Sequence, residues 1–296
     1  MNAIKILDAS LRDGGHRTNF HFNDDQLKHI LTPLDKGNLD YIEIGYRNGA
    51  IRPIDNIGRA GICAKDYLQY CNSLIKNTKI AVMAHPENIA LKDLRELKDC
   101  GITLLRLCIA KNGLDKALPH IENAKNLNLE VSVNFIHLSY YLEDELDQVV
   151  KQVNQYQPHI IYFADSNGSM FPEKISQIYQ KYTQKYQTTF GFHAHDNLGL
   201  AQANTLAALT AGAQFIDASL AGMGKGIGNL KTEFFIAYLH ALHLKKHSLG
   251  DILTAANYVR EKLQIGHEAV EMDEFVRGIS DLSTADLQLF NQKNKS

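Results

Sequence analysis

Short apolar runs, rich in β-branched and aliphatic residues, recur along the chain. We find eight of them, at 3–7, 41–45, 79–84, 103–109, 130–136, 159–164, 189–195 and 215–221. Runs of this length, bounded by turn residues, predict buried β-strands. The segments between them carry helix-start signals, such as Asn23 before the stretch at 26–36 and Pro172 before the stretch at 174–182. The pattern therefore predicts alternating strands and helices.

This alternation predicts right-handed βαβ units and a parallel sheet. Eight strands completed by about residue 221 favour closure into a (β/α)8 TIM barrel, an α/β fold, and an open doubly wound sheet is the alternative. No charge block or proline-rich linker divides the chain. We therefore assign residues 1–248 to a barrel catalytic domain and 249–296 to a short helical C-terminal extension. Within that extension, the run Ser283-Thr284-Ala285-Asp286 resembles a helix N-cap.

Composition narrows the class of partner. The chain carries 33 acidic and 31 basic residues, a formal charge of −2, and no basic block, which argues against nucleic-acid and anionic-membrane partners. Lys5 and Asp8 interrupt the apolar N-terminus, so we expect no secretion signal and a cytoplasmic protein. The uncharged stretch at 197–216 contains several amides and predicts a helix that does not span a membrane. In a reducing compartment, the four cysteines are expected to be free thiols.

Polar residues concentrate where the predicted strands end, which is the end at which (β/α)8 barrels carry their chemistry. In strand order, these positions are Arg12, Asp13 and His16 after the first strand, Glu43, His85, Arg106, 165–168, 193–197 and the loop 222–229. Chance would scatter such residues over both ends of the barrel. Their placement predicts an active site at the carboxyl ends of the strands.

The strongest candidate within this set is a metal site. His193 and His195 are two residues apart, so a strand presents both imidazoles on one face, where Asp13 could meet them. Two imidazoles and a carboxylate suit a divalent cation with open coordination positions, and the Asn229 carboxamide oxygen is a further candidate ligand. Non-haem iron oxygenases use the same ligand types, so the set alone leaves the reaction open. Barrel hydrolases carry their HxH motif after the first strand, whereas here it lies on the seventh.

Glycine occupies every second position from Gly222 to Gly228. This spacing fails the dinucleotide pattern because Ile227 stands where a glycine is needed, and it fails the phosphate-loop pattern because Gly226 follows Lys225. The loop either allows its backbone to approach a ligand closely or is an ordinary flexible connection.

Two residues near the proposed metal ligands suit enolate chemistry. Arg12 carries a permanent charge that could stabilise a developing enolate oxygen, or it forms a structural ion pair with Glu43. His16 titrates near neutrality and suits proton transfer, unless it is a solvent-exposed loop histidine. His85 and His137 end strands three and five and are weaker candidates for lining the pocket.

Four motifs in this order resemble those of the DRE-TIM metallolyases: LRDGGH at 11–16, IEIG at 42–45, HAHDNLGLA at 193–201 and AGMGKGIGN at 221–229. This group includes 3-hydroxy-3-methylglutaryl-CoA lyase and isopropylmalate synthase, and the resemblance, over about residues 4–235, is strongest to the 4-hydroxy-2-oxovalerate aldolases. The stretches at 164–170 and 217–224 favour the aldolase branch. The catalytic cysteine of the lyase branch has no counterpart between Gly222 and Asn229.

The resemblance implies roles for individual residues. The metal ligands would be Asp13, His193 and His195, with Asn229 nearby. The cation would be Mn²⁺ or Mg²⁺, with Zn²⁺ or Co²⁺ as alternatives. The remaining roles are enolate stabilisation by Arg12, proton transfer by His16, membership of the surrounding network by Glu43, and substrate contact by Ser166 and Gly224.

These roles imply an enzyme, a carbon–carbon lyase that interconverts a 4-hydroxy-2-oxo acid with pyruvate and an aldehyde through a metal-stabilised enolate. One alternative is a Claisen-type acyl-CoA lyase or synthase, similar to 3-hydroxy-3-methylglutaryl-CoA lyase or to isopropylmalate or citramalate synthase. Another is a metal-binding barrel that has lost catalysis and serves as a scaffold. The expected partner is a small oxo acid, and homo-oligomer formation stays open.

Two departures from the aldolase pattern bear on partners and specificity. The tail of about fifty residues is shorter than the partner-docking region of those aldolases and contains only Tyr258 as a candidate for the tyrosine that they contribute to the active site. This argues against docking of an aldehyde dehydrogenase. The segment at 45–53 also differs from the aldolase pattern, which leaves the aldehyde-side specificity open.

Overall fold

The computed structural model describes residues 4–267 and 270–293. Within them, parallel strands pair in chain order and β1 pairs with β8, so the sheet closes into a barrel. This confirms the predicted (β/α)8 fold and excludes the open sheet. The strands are β1 (Lys5–Asp8), β2 (Tyr41–Arg47), β3 (Lys79–Ala84), β4 (Leu104–Ile109), β5 (Glu130–Phe135), β6 (Ile160–Asp165), β7 (Thr189–Ala194) and β8 (Phe215–Ala218).

One helix follows each strand and covers the outside of the barrel, and further helices come after the eighth. They are α1 (Asp24–Lys36), α2 (Lys65–Leu74), α3 (Leu91–Asp99), α4 (Leu114–Asn126), α5 (Glu143–Gln155), α6 (Pro172–Lys185), α7 (Ala201–Thr210), α8 (Thr232–Ala241), α9 (Leu249–Lys262), α10 (Met272–Ser280) and α11 (Thr284–Lys293). Helix α9 packs against α1 and α8. No helix in the described part of the chain is long and apolar enough to cross a membrane.

The strand boundaries differ from the sequence prediction mainly at the two ends of the barrel. The first strand was expected to begin at Ala3, which lies outside the described residues. The eighth ends at Ala218 because Leu220–Gly222 forms a tight turn with Ala221 at φ 55°. The eighth helix begins only at Thr232 because the preceding residues are extended, and Asn229 pairs there with His195. This return of the chain places Asn229 at the mouth of the barrel.

The interior of the barrel changes from apolar to charged along its axis. An apolar cluster, which includes Tyr41, Leu104 and Phe215, fills its lower part. Since alternate residues of a strand share a face, the residues two positions further on point into the same interior. Those residues are Glu43, Arg106 and Asp217, all buried. A layer of charged residues therefore lies on top of the apolar cluster, nearer the carboxyl ends of the strands.

The segment α10–α11 lies against the loops at the carboxyl end of the barrel. The Asp281 side chain accepts hydrogen bonds from Ser139 Oγ (2.8 Å), Asn167 Nδ2 (2.8 Å) and Ser169 Oγ (2.5 Å). These donors follow β5 and β6. Ser283 Oγ accepts from the backbone N–H of Asp286 at 3.2 Å, which confirms the predicted N-cap of α11. The proposed domain boundary at residue 248 stays a prediction.

Four cysteines are buried and free, as expected: Cys63, Cys71, Cys100 and Cys108. Burial raises the pKa of Cys63, and it raises the pKa of Cys71 and Cys108 to about 12, so these three thiols stay protonated at neutral pH. They serve as small apolar residues of the core.

One buried carboxylate fixes the connection between α2 and β3. Asp35, near the end of α1, accepts backbone N–H bonds from Lys76 (3.1 Å), Asn77 (2.8 Å) and Thr78 (2.8 Å). Burial raises the pKa of Asp35, but these hydrogen bonds outweigh burial and leave it below the usual value. The contribution of the carboxylate to stability is therefore present at neutral pH and lost as pH falls through this lowered value.

We expect the Asp35→Ala variant to lose about 2 kcal/mol of unfolding free energy, because three donors lose their acceptor. Urea unfolding at pH 7 measures this loss. The difference from the parent protein should begin to shrink as pH falls below about 4, where the carboxyl is protonated in the unfolded chain, and should reach its minimum below the lowered pKa of the folded protein. An unchanged urea midpoint at pH 7 would show that water replaces the carboxylate without cost. Asp35→Asn, which keeps one acceptor oxygen, should lie between the two.

Candidate active site

Three side chains that the sequence analysis proposed as metal ligands lie together at the mouth of the barrel. Ligand atoms of Asp13, His193 and His195 are all within 4.8 Å of one another, and the three residues are buried. Asp13 Oδ2 is 4.0 Å from His193 Nε2 and 4.0 Å from His195 Nε2. Asp13 is placed by a turn, in which its backbone N–H donates to Ala9 O at 2.8 Å. The turn after β1, rather than the strand itself, brings the carboxylate to the histidines on β7.

The orientation of His193 is set by a second carboxylate. Its Nδ1 lies 3.1 Å from Asp217 Oδ2 on the neighbouring strand β8. Burial raises the pKa of Asp217, but the charge of Arg106, the contact with His193 and the charge of Arg12 together outweigh burial and lower it overall. Because an ionised carboxylate only accepts hydrogen bonds, Nδ1 carries the proton and Nε2 keeps its lone pair. That lone pair faces Asp13, in the arrangement typical of a metal-binding histidine.

Asp217 and Asp13 are also connected through a second route of buried ion pairs. Arg106 donates to Asp217 Oδ2 at 2.6 Å and to Glu43 Oε2 at 3.0 Å. Arg12 donates to Glu43 Oε2 at 2.7 Å and to Asp13 Oδ1 at 2.7 Å. We call this closed circuit the charge ring, and its members are Asp13, Arg12, Glu43, Arg106, Asp217 and His193. The structural ion pair between Arg12 and Glu43 that the sequence analysis considered is therefore present.

The protonation states of the site suit cation binding. Burial raises the pKa of Asp13, but Arg12 and the two imidazoles outweigh burial and hold it well below its usual range. Burial lowers the pKa of His195 to about 3, although Asp13 opposes this. At neutral pH the site therefore offers one carboxylate and one neutral imidazole, and His193 is oriented as a second nitrogen donor.

Asn229 completes the cluster from the loop after β8. Its Nδ2 donates to Asp13 Oδ2 at 2.8 Å, while its Oδ1 is buried without a hydrogen-bond partner among the described residues. Gly224 packs beneath this side chain, since a Cβ there would lie 2.6 Å from Asn229 Nδ2. Gly228 has φ +107°, and a Cβ on it would lie 2.0 Å from Gly222 O. Two of the glycines therefore allow the loop to fold tightly enough to position Asn229.

His16 lies beside the cluster, against aromatic residues. Its ring is 4.9 Å from that of Phe20 and 6.4 Å from that of Tyr46, and Tyr46 stacks on His85 at 5.5 Å. Burial lowers the pKa of His16 to about 4, against the opposing charge of Asp13. The imidazole is therefore neutral at pH 7 and able to accept a proton. The alternative of a solvent-exposed loop histidine does not describe this partly buried ring.

Ser166 lies on the opposite side of the mouth, after β6. Its Oγ accepts the backbone N–H of His137 at 2.9 Å, and its carbonyl accepts from Arg277 at 3.4 Å. The His137 ring pairs with Asn167 Oδ1 at 3.1 Å. The structure thus joins Arg12, Asp13, Glu43, His193 and Asn229 through direct contacts, whereas Ser166 forms no hydrogen bond with them among the described residues. The substrate roles of Ser166 and Gly224 stay predictions.

Two residues that the sequence analysis did not single out are part of this arrangement. Asp217 orients His193, and its only signal in the sequence is an acidic residue at an inward position of an otherwise apolar strand. Arg277, on α10, is 3% exposed and reaches the loop after β6. No local pattern marks it, because an arginine on an amphipathic helix usually faces solvent.

The donor set fits a divalent cation. Carboxylate and imidazole ligands suit Mg²⁺, Mn²⁺ and related metals. Two buried acceptor atoms beside Asp13, His193 Nε2 and Asn229 Oδ1, have no hydrogen-bond partner among residues 4–267 and 270–293, which is costly unless a ligand satisfies them.

Comparison with known proteins gives consistent matches. A family model described as HMGL-like matches residues 3–259. A 4-hydroxy-2-oxovalerate aldolase from Geobacillus genomosp. 3 is 32% identical over 280 residues, which cover 94% of this chain and 83% of the relative. An oxaloacetate decarboxylase from Mycobacterium tuberculosis is 31% identical over 252 residues, 85% of this chain and 74% of the relative.

A solved structure extends these matches to three dimensions. It is the N-terminal domain of a Bacteroides vulgatus protein described as a candidate aldolase. It aligns with a TM-score of 0.83 and 28% sequence identity, covering 97% of this chain and 96% of that domain.

The charge ring predicts a strong effect of removing Arg106. In the Arg106→Met variant, Glu43 and Asp217 lose their shared cation while remaining buried, so the unfolding free energy should fall by about 3–5 kcal/mol. Urea unfolding measures this. Arg95→Met, on the exposed face of α3, is the matched control and should stay within about 0.5 kcal/mol of the parent. A loss below about 1 kcal/mol in Arg106→Met would mean that the ring is dispensable for folding.

Proposed function

The chain belongs to the HMGL-like family of DRE-TIM metallolyases, and on this premise we propose that it is a divalent-metal-dependent aldolase. Membership and the aldolase relatives make it a carbon–carbon lyase. The proposed reaction interconverts a 4-hydroxy-2-oxo acid with pyruvate and an aldehyde. The observation that carries the proposal is the cluster of Asp13, His193 and His195 beside Arg12 and His16.

The cation site is assigned to Asp13, His193 and His195, with Asn229 as a further oxygen donor. We propose Mn²⁺ or Mg²⁺, because two of the four candidate donors are oxygens, and Zn²⁺ or Co²⁺ are compatible with the imidazoles. When bound, such a cation polarises the 2-oxo group of the substrate as a Lewis acid.

Arg12 supplies the fixed positive charge. Its Nε and Nη1 are held by Glu43 and Asp13, so the guanidinium cannot rotate away, while Nη2 has no hydrogen bond within the described residues. That remaining N–H group can donate to the oxygen on which negative charge develops as pyruvate enolate forms. Donors fixed in advance cost no reorganisation at this moment, and each is typically worth about 3–4 kcal/mol of barrier.

We assign proton transfer to His16. In the cleavage direction, its neutral imidazole takes the proton of the 4-hydroxyl group, the C4–O bond becomes a carbonyl, and the C3–C4 bond breaks with its electron pair left on C3. The resulting enolate is protonated at C3 to give pyruvate. A positioned base of this kind contributes about 10²- to 10⁴-fold to the rate.

Decarboxylation of oxaloacetate is the second candidate, favoured by the similarity to the Mycobacterium tuberculosis relative. It breaks the equivalent C3–C4 bond and leaves the same enolate, but the leaving group is CO₂ and no hydroxyl proton must be removed. The two reactions therefore share Arg12 and the cation site and differ in their need for His16.

With Mn²⁺ present, the protein should release pyruvate from 4-hydroxy-2-oxopentanoate or its longer homologues. The Asp13→Asn variant should lose this activity and bind Mn²⁺ at least about 10- to 100-fold more weakly, since removing even an outer partner of a metal ligand has that effect. Titration calorimetry measures the affinity. Asp196→Asn is the control, because within the described part of the chain the Asp196 side chain accepts the Ala201 N–H of α7 at 2.9 Å and bonds none of the proposed ligands. Full activity without metal, or Mn²⁺ affinity unchanged in Asp13→Asn, would contradict the ligand set.

The lowered pKa of His16 determines the pH below which the rate of the aldol reaction falls. Since the imidazole is neutral above pH about 4, kcat/KM for pyruvate release should hold down to pH 5 and fall only below it. His16→Gln should reduce aldol cleavage by about 10²- to 10⁴-fold and leave oxaloacetate decarboxylation intact. His21→Gln serves as the control, because this exposed ring bonds Asn56 O at 2.8 Å and no residue of the site among those that the structure describes. Equal loss of both reactions in His16→Gln would assign His16 a different role.

A further inference from the structure

Two cationic side chains lie at the rim of the site, next to the loop after β8. Lys225 is part of that loop, and Arg277 reaches it from α10. We propose that these two residues form a subsite for a second carboxylate, so that the substrate is a 2-oxo dicarboxylate. This inference rests on the proposed function, and it concerns the half of the substrate that becomes the aldehyde.

Arg277 is built into the rim rather than exposed on it. Its side chain is 3% exposed, and its guanidinium lies between the loop after β6, where Nη2 meets Ser166 O at 3.4 Å, and the glycine loop. A Cβ added to Gly226 would lie 2.5 Å from Arg277 Nη1. The end of β7, which carries His195, lies between these two loops. The guanidinium is therefore held beside these two loops by the C-terminal segment, where it also bonds Glu274 and Leu282 O, and it is close enough for its charge to act on His195.

Lys225 carries the second charge of the subsite. Its backbone N–H donates to Asp13 Oδ2 at 3.3 Å, which fixes this residue directly beside the proposed metal ligands. Its ammonium group makes no hydrogen bond or ion pair within residues 4–267 and 270–293. The Asp13 and Glu274 carboxylates act on this ammonium, as do the cations Arg277 and Arg52. Because neither carboxylate forms an ion pair with it within the described residues, and Lys225 is exposed, the ammonium is free to bind a carboxylate of a ligand.

The balance of charge supports a ligand that carries two carboxylates. Within the charge ring, Arg12 and Arg106 are balanced by Glu43 and Asp217. A divalent cation would be balanced by Asp13 together with one substrate carboxylate. On the rim, Glu274 pairs with Arg277 at 2.9 Å, but nothing pairs with the Lys225 ammonium in the part of the chain that the structure describes. One positive charge, that of Lys225, is therefore left over at the rim for a substrate carboxylate.

The position of the subsite indicates which end of the substrate binds there. A 2-oxo acid presents its first carboxylate and 2-oxo group to the cation site, so C4 and the atoms beyond it extend towards the rim. The class that fits is a 4-hydroxy-2-oxo dicarboxylate, which yields pyruvate and a carboxylate-bearing aldehyde. Oxaloacetate, the substrate named for one relative, also carries a carboxylate at C4.

Binding of two unreactive analogues tests the subsite independently of catalysis. 2-Oxoglutarate and 2-oxopentanoate have the same chain length and differ only by a carboxylate in place of the terminal methyl group. Titration calorimetry on the Mn²⁺-loaded protein should show 2-oxoglutarate binding about 10- to 100-fold more tightly, the value of a charged hydrogen bond. Lys225→Gln should reduce this advantage by about tenfold. Lys231→Gln, whose ammonium lies over the Phe234 ring, should preserve it.

Equal affinity for the two analogues in the parent protein, or an undiminished advantage in Lys225→Gln, would overturn the inference. Kinetics distinguishes failure of the subsite from failure of the proposed function. The matched reactive pair for this comparison is 4-hydroxy-2-oxoglutarate and 4-hydroxy-2-oxopentanoate. Cleavage of the pentanoate with a kcat/KM at least equal to that of the glutarate supports the aldolase and overturns the subsite. A 2-oxoglutarate advantage without pyruvate release from either compound supports the subsite and overturns the aldolase.

Discussion

The charge ring is the constraint on which the rest of the site depends. Its six members lie inside the barrel or at its mouth, where a buried charge without a partner is costly. Each charged member therefore needs its oppositely charged neighbour in the ring. Arg12 is aimed at the site because Glu43 and Asp13 hold two of its donors. His193 presents Nε2 because Asp217 holds Nδ1. Both orientations originate at Arg106, which joins Glu43 to Asp217 across the barrel.

The two sides of the mouth differ in character. On the side of β1 to β3, His16 contacts Phe20 and Tyr46, and burial keeps the imidazole neutral. On the side of β6 to β8, the rim carries the charges of Lys225 and Arg277. The two sides are electrostatically connected, because the charge of Lys225 also acts on His16 and adds to the lowering of its pKa by burial.

The sequence was sufficient for the fold and for most of the cluster, and the reason is physical. Eight apolar runs with turn residues between them leave few alternatives to a closed parallel barrel, and reactive residues at strand ends have only one face on which to meet. Asp13, His193 and Asn229 were identified in this way. Asp217 and Arg277 were missed because their roles arise from pairing between distant elements: β8 beside β7 for Asp217, and α10 folded back over the loop after β6 for Arg277. The early end of β8 likewise depends on a turn that local propensity does not reveal.

The contacts of Asp281 with Ser139, Asn167 and Ser169 have a consequence for the order of assembly. During synthesis, the strands that close the barrel leave the ribosome before α10 and α11 do, because β8 ends at Ala218 and α10 begins at Met272. The nascent chain can thus bring together the proposed metal ligands and the charge ring while the mouth is still open on one side. Arg277 arrives last, so the residue that we assign to substrate choice is added to a site whose chemistry is already in place.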